Sequence, residues 1–191
     1  MRKKFLTILL VFLLMLGMLI GLTACGNNDK DDEEDEASGP EAVVEEYCEY
    51  LSSGKFKKAF DLIDWEMYLM VDDGYDYDEL EDKDTYEEFK EDNEYYLDNI
   101  YEQIEYAIDE YSEIYEDAKK FEVKVKSIED AEKVKGTKNV YSVEAKIKIN
   151  VKDEYGDENT STEDCTIYLM KKSGKYYIID GIDAVMESIA W

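Results

Sequence analysis

Apolar residues early in this chain recur every three or four positions, which is the spacing of one face of an α-helix. A first helix is predicted to start at Ser38-Gly39-Pro40-Glu41, where Ser38 and Glu41 form a capping box and proline falls in the first turn, and to end at Ser52-Ser53-Gly54. A second, shorter helix is predicted over residues 55–63. The apolar residues that define the two helices are Val44, Tyr47, Cys48, Leu51, Phe56, Ala59, Phe60 and Ile63.

The next part of the chain predicts one long helix. Residues 64–84 lack a clear period and read as an apolar patch followed by an acidic, aromatic loop over residues 72–79. Asp84 and Glu87 then have the form of another capping box. An apolar stripe from Leu97 to Ala118 predicts a long amphipathic helix, with a kink or break at Asp92-Asn93.

The apolar period changes from helical to two after residue 120. Alternation predicts half-buried strands over residues 121–125, 141–151, 162–172 and 176–180, the last two joined by a hairpin at Ser173-Gly174. A final short helix over residues 182–189 would bring Trp191 onto the body. Helices followed by antiparallel strands predict an α+β fold, with N-terminal helices on a curved, cone-like four-stranded sheet and a short C-terminal helix.

The N-terminus begins with basic residues and an uncharged apolar run from Phe5 to Leu22, and Cys25 directly follows Leu22-Thr23-Ala24. This pattern is typical of a secretory signal and resembles the bacterial lipobox. The resemblance implies cleavage before Cys25 and lipid on its thiol, at the extracytoplasmic face of the cell membrane. Residues 1–24 are then the signal, 25–37 an acidic flexible tether and 38–191 a single domain. The alternative is an uncleaved transmembrane helix.

The net charge of the chain limits the classes of partner that it can bind. The formal charge is −27, and cleavage would remove three basic residues and leave −30. Nucleic acid is excluded as a partner because its binding depends on Lys and Arg, and an anionic bilayer would repel the domain, so that attachment falls to the N-terminal lipid. A 45% hydrophobic composition with 17 tyrosines nevertheless predicts a folded core.

The sequence gives little support for a metal site or for a reactive cysteine in the folded domain. The carboxylates from Asp72 or from Asp76 do not match the spacing of a calcium-binding helix–loop–helix, and we predict neither a metal nor a cofactor. Cys48 and Cys165 form either a disulfide or two buried thiols that act as small hydrophobic residues.

Two segments resemble a known family. The corner Leu51-Ser52-Ser53-Gly54-Lys55 with Ala59-Phe60, and the closing hairpin with Gly174-Lys175-Tyr176-Tyr177, are similar to the nuclear transport factor 2-like (cystatin-like) lipoproteins of bacteria, a domain of unknown function here. The similarity covers most of residues 39–180. It implies a cone fold with a pocket between sheet and helices, which in some relatives holds an enzyme site.

The residues favour binding over catalysis. The chain contains no histidine, the side chain most often used for proton transfer near neutral pH, and it has no phosphate loop, nucleophile elbow or CxxC pair. An acid–base enzyme that uses carboxylate and tyrosine remains an alternative. We predict a non-catalytic module that binds an envelope protein through tyrosines such as Tyr68, Tyr75 and Tyr77, or those from Tyr95 to Tyr106. The other alternative is a small ligand, for instance a cationic one, in the cone pocket.

Overall fold

The computed structural model describes residues 39–190, in which six α-helices and five β-strands are present. The helices are α1 (Pro40–Ser52), α2 (Phe56–Phe60), α3 (Trp65–Asp72), α4 (Lys83–Asp92), α5 (Glu94–Asp117) and α6 (Asp183–Ile189), and a short 3-10 helix covers Glu79–Glu81. The strands are β1 (Lys120–Ile128), β2 (Glu132–Lys133), β3 (Val140–Lys152), β4 (Glu158–Lys172) and β5 (Lys175–Asp180). The predicted α+β class is confirmed. The predicted signal, the tether, Cys25 and the placement of Trp191 lie outside the described residues.

Helix α1 is present where a helix was predicted, but it begins at Pro40 and its predicted capping box is wrong. Gly39 is the N-cap, and no side chain caps the helix. Glu41 instead uses its carboxylate to accept the backbone N–H of Ala131 at 2.6 Å, which ties the start of α1 to the β1–β2 connection. Proline at the first position needs no hydrogen-bond partner for its nitrogen, so the helix can start without a side-chain cap.

The segment predicted to be irregular contains helix α3. The Asp64 carboxylate accepts the backbone N–H of Met67 at 3.2 Å and caps this helix. The next helix, α4, is capped by Asp82 rather than by the predicted Asp84, since Asp82 accepts the backbone N–H of Thr85 at 2.9 Å. The predicted break at Asp92-Asn93 is confirmed, because α4 ends and α5 begins there.

The strands form an antiparallel sheet in the order β1-β3-β4-β5, and the two-residue strand β2 also pairs with β3. Central β3 and β4 pair over the whole range from Val140 with Met170 to Lys152 with Glu158. At the other edge, Ile63 forms a parallel bridge to Ile178 of β5. This bridge attaches the end of the α2 segment to the sheet and sets where α3 starts.

One face of the sheet carries the main core. Odd-numbered residues of β3 and β4 share this face because side chains alternate along a strand. Ile147, Ile149 and Ile167 are fully buried there against Tyr47 and Leu51 of α1. Helix α6 adds Val185 and Ile189, and the inner side of α5 packs against the same core. Each such aliphatic side chain contributes about 1.5–3 kcal/mol on burial.

A second hydrophobic cluster lies at one end of the sheet and uses the opposite side-chain positions. Val140 and Met170, which are direct cross-strand partners, pack there with Met67 and Met70 of α3 and with Phe89 of α4. This arrangement explains why α3 is apolar on more than one side. Trp65 and Tyr68 of the same helix contact the main core.

Gly181 is predicted to be intolerant of any side chain. Its φ is +88°, and a Cβ there would lie 2.1 Å from the Thr166 carbonyl oxygen of β4. Gly74 has a similar φ of +95° with no atom within 4 Å of a built Cβ. We expect Gly74→Ala to lower the free energy of unfolding by about 1–2 kcal/mol and Gly181→Ala by at least about 3 kcal/mol, as measured by urea denaturation. Equal losses would contradict the close approach of Gly181 to β4.

The cap of α4 predicts a pH effect. Hydrogen bonds from Thr85 lower the pKa of Asp82 below its usual value, so folding favours the charged carboxylate. This stabilisation is complete above the unfolded pKa of about 3.9 and is lost as pH falls through the lower folded pKa. Asp82→Asn keeps an oxygen acceptor but removes the charge. We expect urea titrations from pH 7 to pH 2.5 to show wild type more stable at neutral pH, with the difference vanishing at the acid end. A stability difference between wild type and Asp82→Asn that persists at the acid end would contradict a charged cap.

Candidate binding surfaces around the acidic helix

Helix α5 is the longest described helix and is amphipathic. Its inner side places Ile104, Ile108 and Ile114 against the main core, as the sequence stripe predicted. Its remaining positions carry nine carboxylates and no Lys or Arg, so the helix has no basic residue to neutralise its own field. The carboxylates are Glu94, Asp98, Glu102, Glu105, Asp109, Glu110, Glu113, Glu116 and Asp117.

Four tyrosines of α5 project into solvent. Tyr95, Tyr96, Tyr101 and Tyr106 are 81%, 57%, 62% and 73% exposed. Three of them, Tyr95, Tyr96 and Tyr106, border a shallow surface depression together with Asn99, Glu102 and Gln103. We call this set the tyrosine face of α5. Aromatic side chains of this size normally bury much of their surface, so their grouping on one helix marks a candidate contact surface.

A groove of about 700 Å³ runs along another side of α5. One wall is α5, the other is formed by α2 and the start of α3, and the β4–β5 hairpin closes one end. We call it the lateral groove. The residues that line it are Lys57, Phe60, Asp61, Ile63, Asp64, Trp65, Glu66, Tyr101, Ile104, Glu105, Ile108, Asp109, Lys172 and Tyr177.

The walls of the lateral groove are held by specific contacts. The indole N–H of Trp65 donates to the Phe60 carbonyl at 3.2 Å, and the two rings meet edge to face at 5.5 Å. Asp64 forms an ion pair with Lys172, so the N-cap of α3 is also bonded to the hairpin. These contacts fix the indole and the end of the groove before any ligand arrives.

The lateral groove is strongly acidic. Among residues 39–190, the lining carboxylates of Asp61, Glu66, Glu105 and Asp109 have no ion-pair partner, whereas Lys172 is already paired with Asp64. The remaining lining cation is Lys57. Uncompensated carboxylates around an apolar floor give this groove a negative potential.

The three tyrosines proposed as partner contacts from the sequence have partners within the domain. The Tyr68 hydroxyl donates to Asp183 at 2.5 Å, and the Tyr77 hydroxyl donates to Asp180 at 2.6 Å. Burial, followed by these hydrogen bonds, raises the pKa of both phenols. Tyr75 packs edge to face on Phe89 at 5.7 Å. All three are half-buried, and their role in partner binding stays a prediction.

The sequence did not point to the lateral groove. Trp65 lies in the predicted apolar patch and Tyr101 in the predicted long helix, but 36 positions separate them, and no local pattern brings them together. The one feature of the sequence that could have indicated this groove is Trp65, because the chain has only two tryptophans.

The two cysteine thiols of the described domain are poor nucleophiles, and its interior contains few polar side chains. Cys48 and Cys165 are both buried and free. Burial, and next the neighbouring Cys165 thiol, raises the pKa of Cys48 to about 12, and burial raises the pKa of Cys165 as well. Thiols with raised pKa values stay protonated and are poor nucleophiles. The buried polar residues of the described domain are Thr137 and Asn150, so the space between α1 and the sheet holds no buried carboxylate.

The described residues, 39–190, were compared with the requirements of a metal site and of a membrane-spanning helix. No group of three or more Cys, Asp or Glu side chains in that range is arranged to hold a metal ion. Within the same range, no helix combines the length and apolar character that crossing a membrane requires.

Comparisons of the chain with protein-family models, with curated proteins and with solved structures found no match. The geometry of α5 and of the lateral groove is therefore the basis for a functional interpretation, and the resemblance to nuclear transport factor 2-like lipoproteins stays a prediction.

Proposed function

We propose that this chain is a lipid-anchored lipoprotein on the extracytoplasmic face of a bacterial membrane, and that its folded domain binds a basic protein of the cell envelope without catalysis. The observation that carries the proposal is the tyrosine face of α5. Tyr95, Tyr96 and Tyr106 stand 57–81% exposed on a helix that has nine carboxylates and no basic residue.

Tyrosine and carboxylate together suit a basic partner. A tyrosine ring offers a large contact area at a low cost in side-chain entropy, and Lys or Arg of a partner can pack over it by a cation–π interaction. Glu102, which lies among the exposed tyrosines, can pair with the same cation. The charge of the chain accelerates encounter with a positive surface and disfavours acidic competitors.

The anchor part of the proposal rests on the sequence. Two or more acyl chains hold a protein stably on a bilayer, since each buried methylene contributes about 0.8 kcal/mol. A domain of this charge needs such an anchor to remain near an anionic lipid surface. The sequence between Cys25 and Ala37 is rich in Asp and Glu, and this acidic segment is the tether of the proposed anchor.

The anchor predicts the behaviour of Cys25→Ser in the native host. Serine lacks the thiol that accepts the diacylglyceryl group, so we expect an uncleaved, unlipidated precursor that no longer incorporates labelled fatty acid. Acyl labelling and the mass of the mature N-terminus measure this. Cys48→Ser is the matched control and should be processed and labelled like wild type. Unchanged labelling of Cys25→Ser would contradict the anchor.

The tyrosine face predicts which substitutions weaken partner binding. We expect Tyr95→Ala/Tyr106→Ala to reduce retention of a basic envelope protein by about tenfold or more, since exposed tyrosines at interfaces contribute about 2 kcal/mol when they are hot spots. Quantitative pull-down from envelope extract, followed by a titration with the purified partner, measures the change.

The control is Tyr155→Ala, because Tyr155 is 83% exposed in the β3–β4 connection and does not belong to the tyrosine face. Both variants should keep the wild-type thermal midpoint, since they remove exposed side chains. Equal retention by wild type and by the α5 double variant, or a captured partner that is acidic, would contradict the proposal.

A further inference from the structure

The lateral groove has the properties of a small-molecule site. Its volume of about 700 Å³ falls within the range of about 300–1,000 Å³ that ligand pockets occupy. Buried Phe60 and Ile63 and half-buried Ile104 and Ile108 supply apolar surface. Ligand sites commonly combine such a surface with a few polar groups that fix orientation, and here the polar groups are carboxylates.

The position of the carboxylates defines the preferred ligand. Asp61, Glu105 and Asp109 are exposed, whereas the apolar residues lie deeper. Glu105 and Asp109 are four positions apart on α5, so they share one side of the helix, and Asp61 belongs to the facing wall. A molecule that fills the groove therefore has its apolar part against isoleucine and aromatic rings and its polar end among carboxylates.

We propose that the lateral groove binds an amphipathic organic cation, that is, a protonated amine or guanidinium carried on an apolar body. The charge of the groove disfavours anions, because among residues 39–190 four lining carboxylates have no ion-pair partner and Lys57 is the one lining cation outside an ion pair. A bare metal ion would leave the apolar floor unfilled, and the described residues contain no metal-binding cluster.

The aromatic residues of the lateral groove also favour a cationic ligand. Trp65, whose indole gives the strongest cation–π attraction among side chains, lines the groove with Tyr101 and Tyr177. Because its N–H is bonded to the Phe60 carbonyl, the indole does not have to reorganise to receive a ligand, which lowers the entropic cost of binding.

Matched ligands and matched variants test the proposal. The probes are 4-phenylbutylamine, which is a cation at neutral pH, and 4-phenylbutan-1-ol, which has the same body without the charge. The full chain carries Trp191→Phe, so that Trp65 is its sole tryptophan, and is purified in a neutral detergent. Tryptophan fluorescence and titration calorimetry follow binding.

We expect the amine to bind at least about tenfold more tightly than the alcohol, and to weaken when salt rises from 50 to 500 mM. Glu105→Gln/Asp109→Asn should weaken amine binding by about tenfold and leave alcohol binding unchanged. The control Glu113→Gln/Glu116→Gln removes the same charge from the same helix outside the groove and should change amine binding by less than about twofold.

The inference is overturned if neither probe gives saturable binding, if amine and alcohol bind equally, or if both double variants weaken amine binding to the same extent. It is independent of the partner-binding surface. Tyr95→Ala/Tyr106→Ala should leave amine binding unchanged, so failure of one proposal is distinguishable from failure of the other.

Discussion

The apolar face of the sheet, centred on strands β3 and β4, is buried under the helices, and the rest of the domain depends on this packing. Tyr47 and Leu51 of α1 are fully buried against Ile147 and Ile167, and the two strands pair along their full length. The other helices on this face, α2, α5 and α6, add side chains to the same apolar core. The position of α5, and with it the tyrosine face and one wall of the groove, therefore follows from burial of one side of the sheet.

The charges of the chain are distributed unevenly over this frame. Lys146 pairs with Asp164, and Lys148 with Glu122, on the side of the sheet away from the main core. Among residues 39–190, the carboxylates of helix α5 form no such ion pair, and they repel one another at i,i+4 spacing, for example Glu105 with Asp109. Its last turn also lacks a basic residue that would suit the helix dipole. Helix α5 therefore combines unfavourable charge spacing with exposed tyrosines. Such a departure from local stability preferences is expected at a functional surface.

The sequence predicted the elements whose pattern is local. Helix α1, the long helix, its break at Asn93 and the main strands follow from periods of 3.6 and 2 and from breaker residues. Helix α3 was missed because Trp65 and Tyr68 pack on the main core whereas Met67 and Met70 pack on the second cluster, so its apolar residues form a continuous run without a helical period. The hydroxyl partners of Tyr68 and Tyr77 lie 115 and 103 positions away, and no local pattern encodes such pairs.

The lateral groove depends on contacts that are equally non-local, and Asp64 links them. Its carboxylate caps α3 and pairs with Lys172 of the β4–β5 hairpin, so one side chain fixes two sides of the groove. The pairing also neutralises Lys172, so that among the described lining residues Lys57 is the remaining cation opposite the negative charges of Asp61, Glu105 and Asp109. The ion pair between Asp64 and Lys172 therefore fixes the shape of the lateral groove and preserves its negative potential. An apolar groove with a negative potential follows from one arrangement of residues, and the tyrosine face lies on another side of α5.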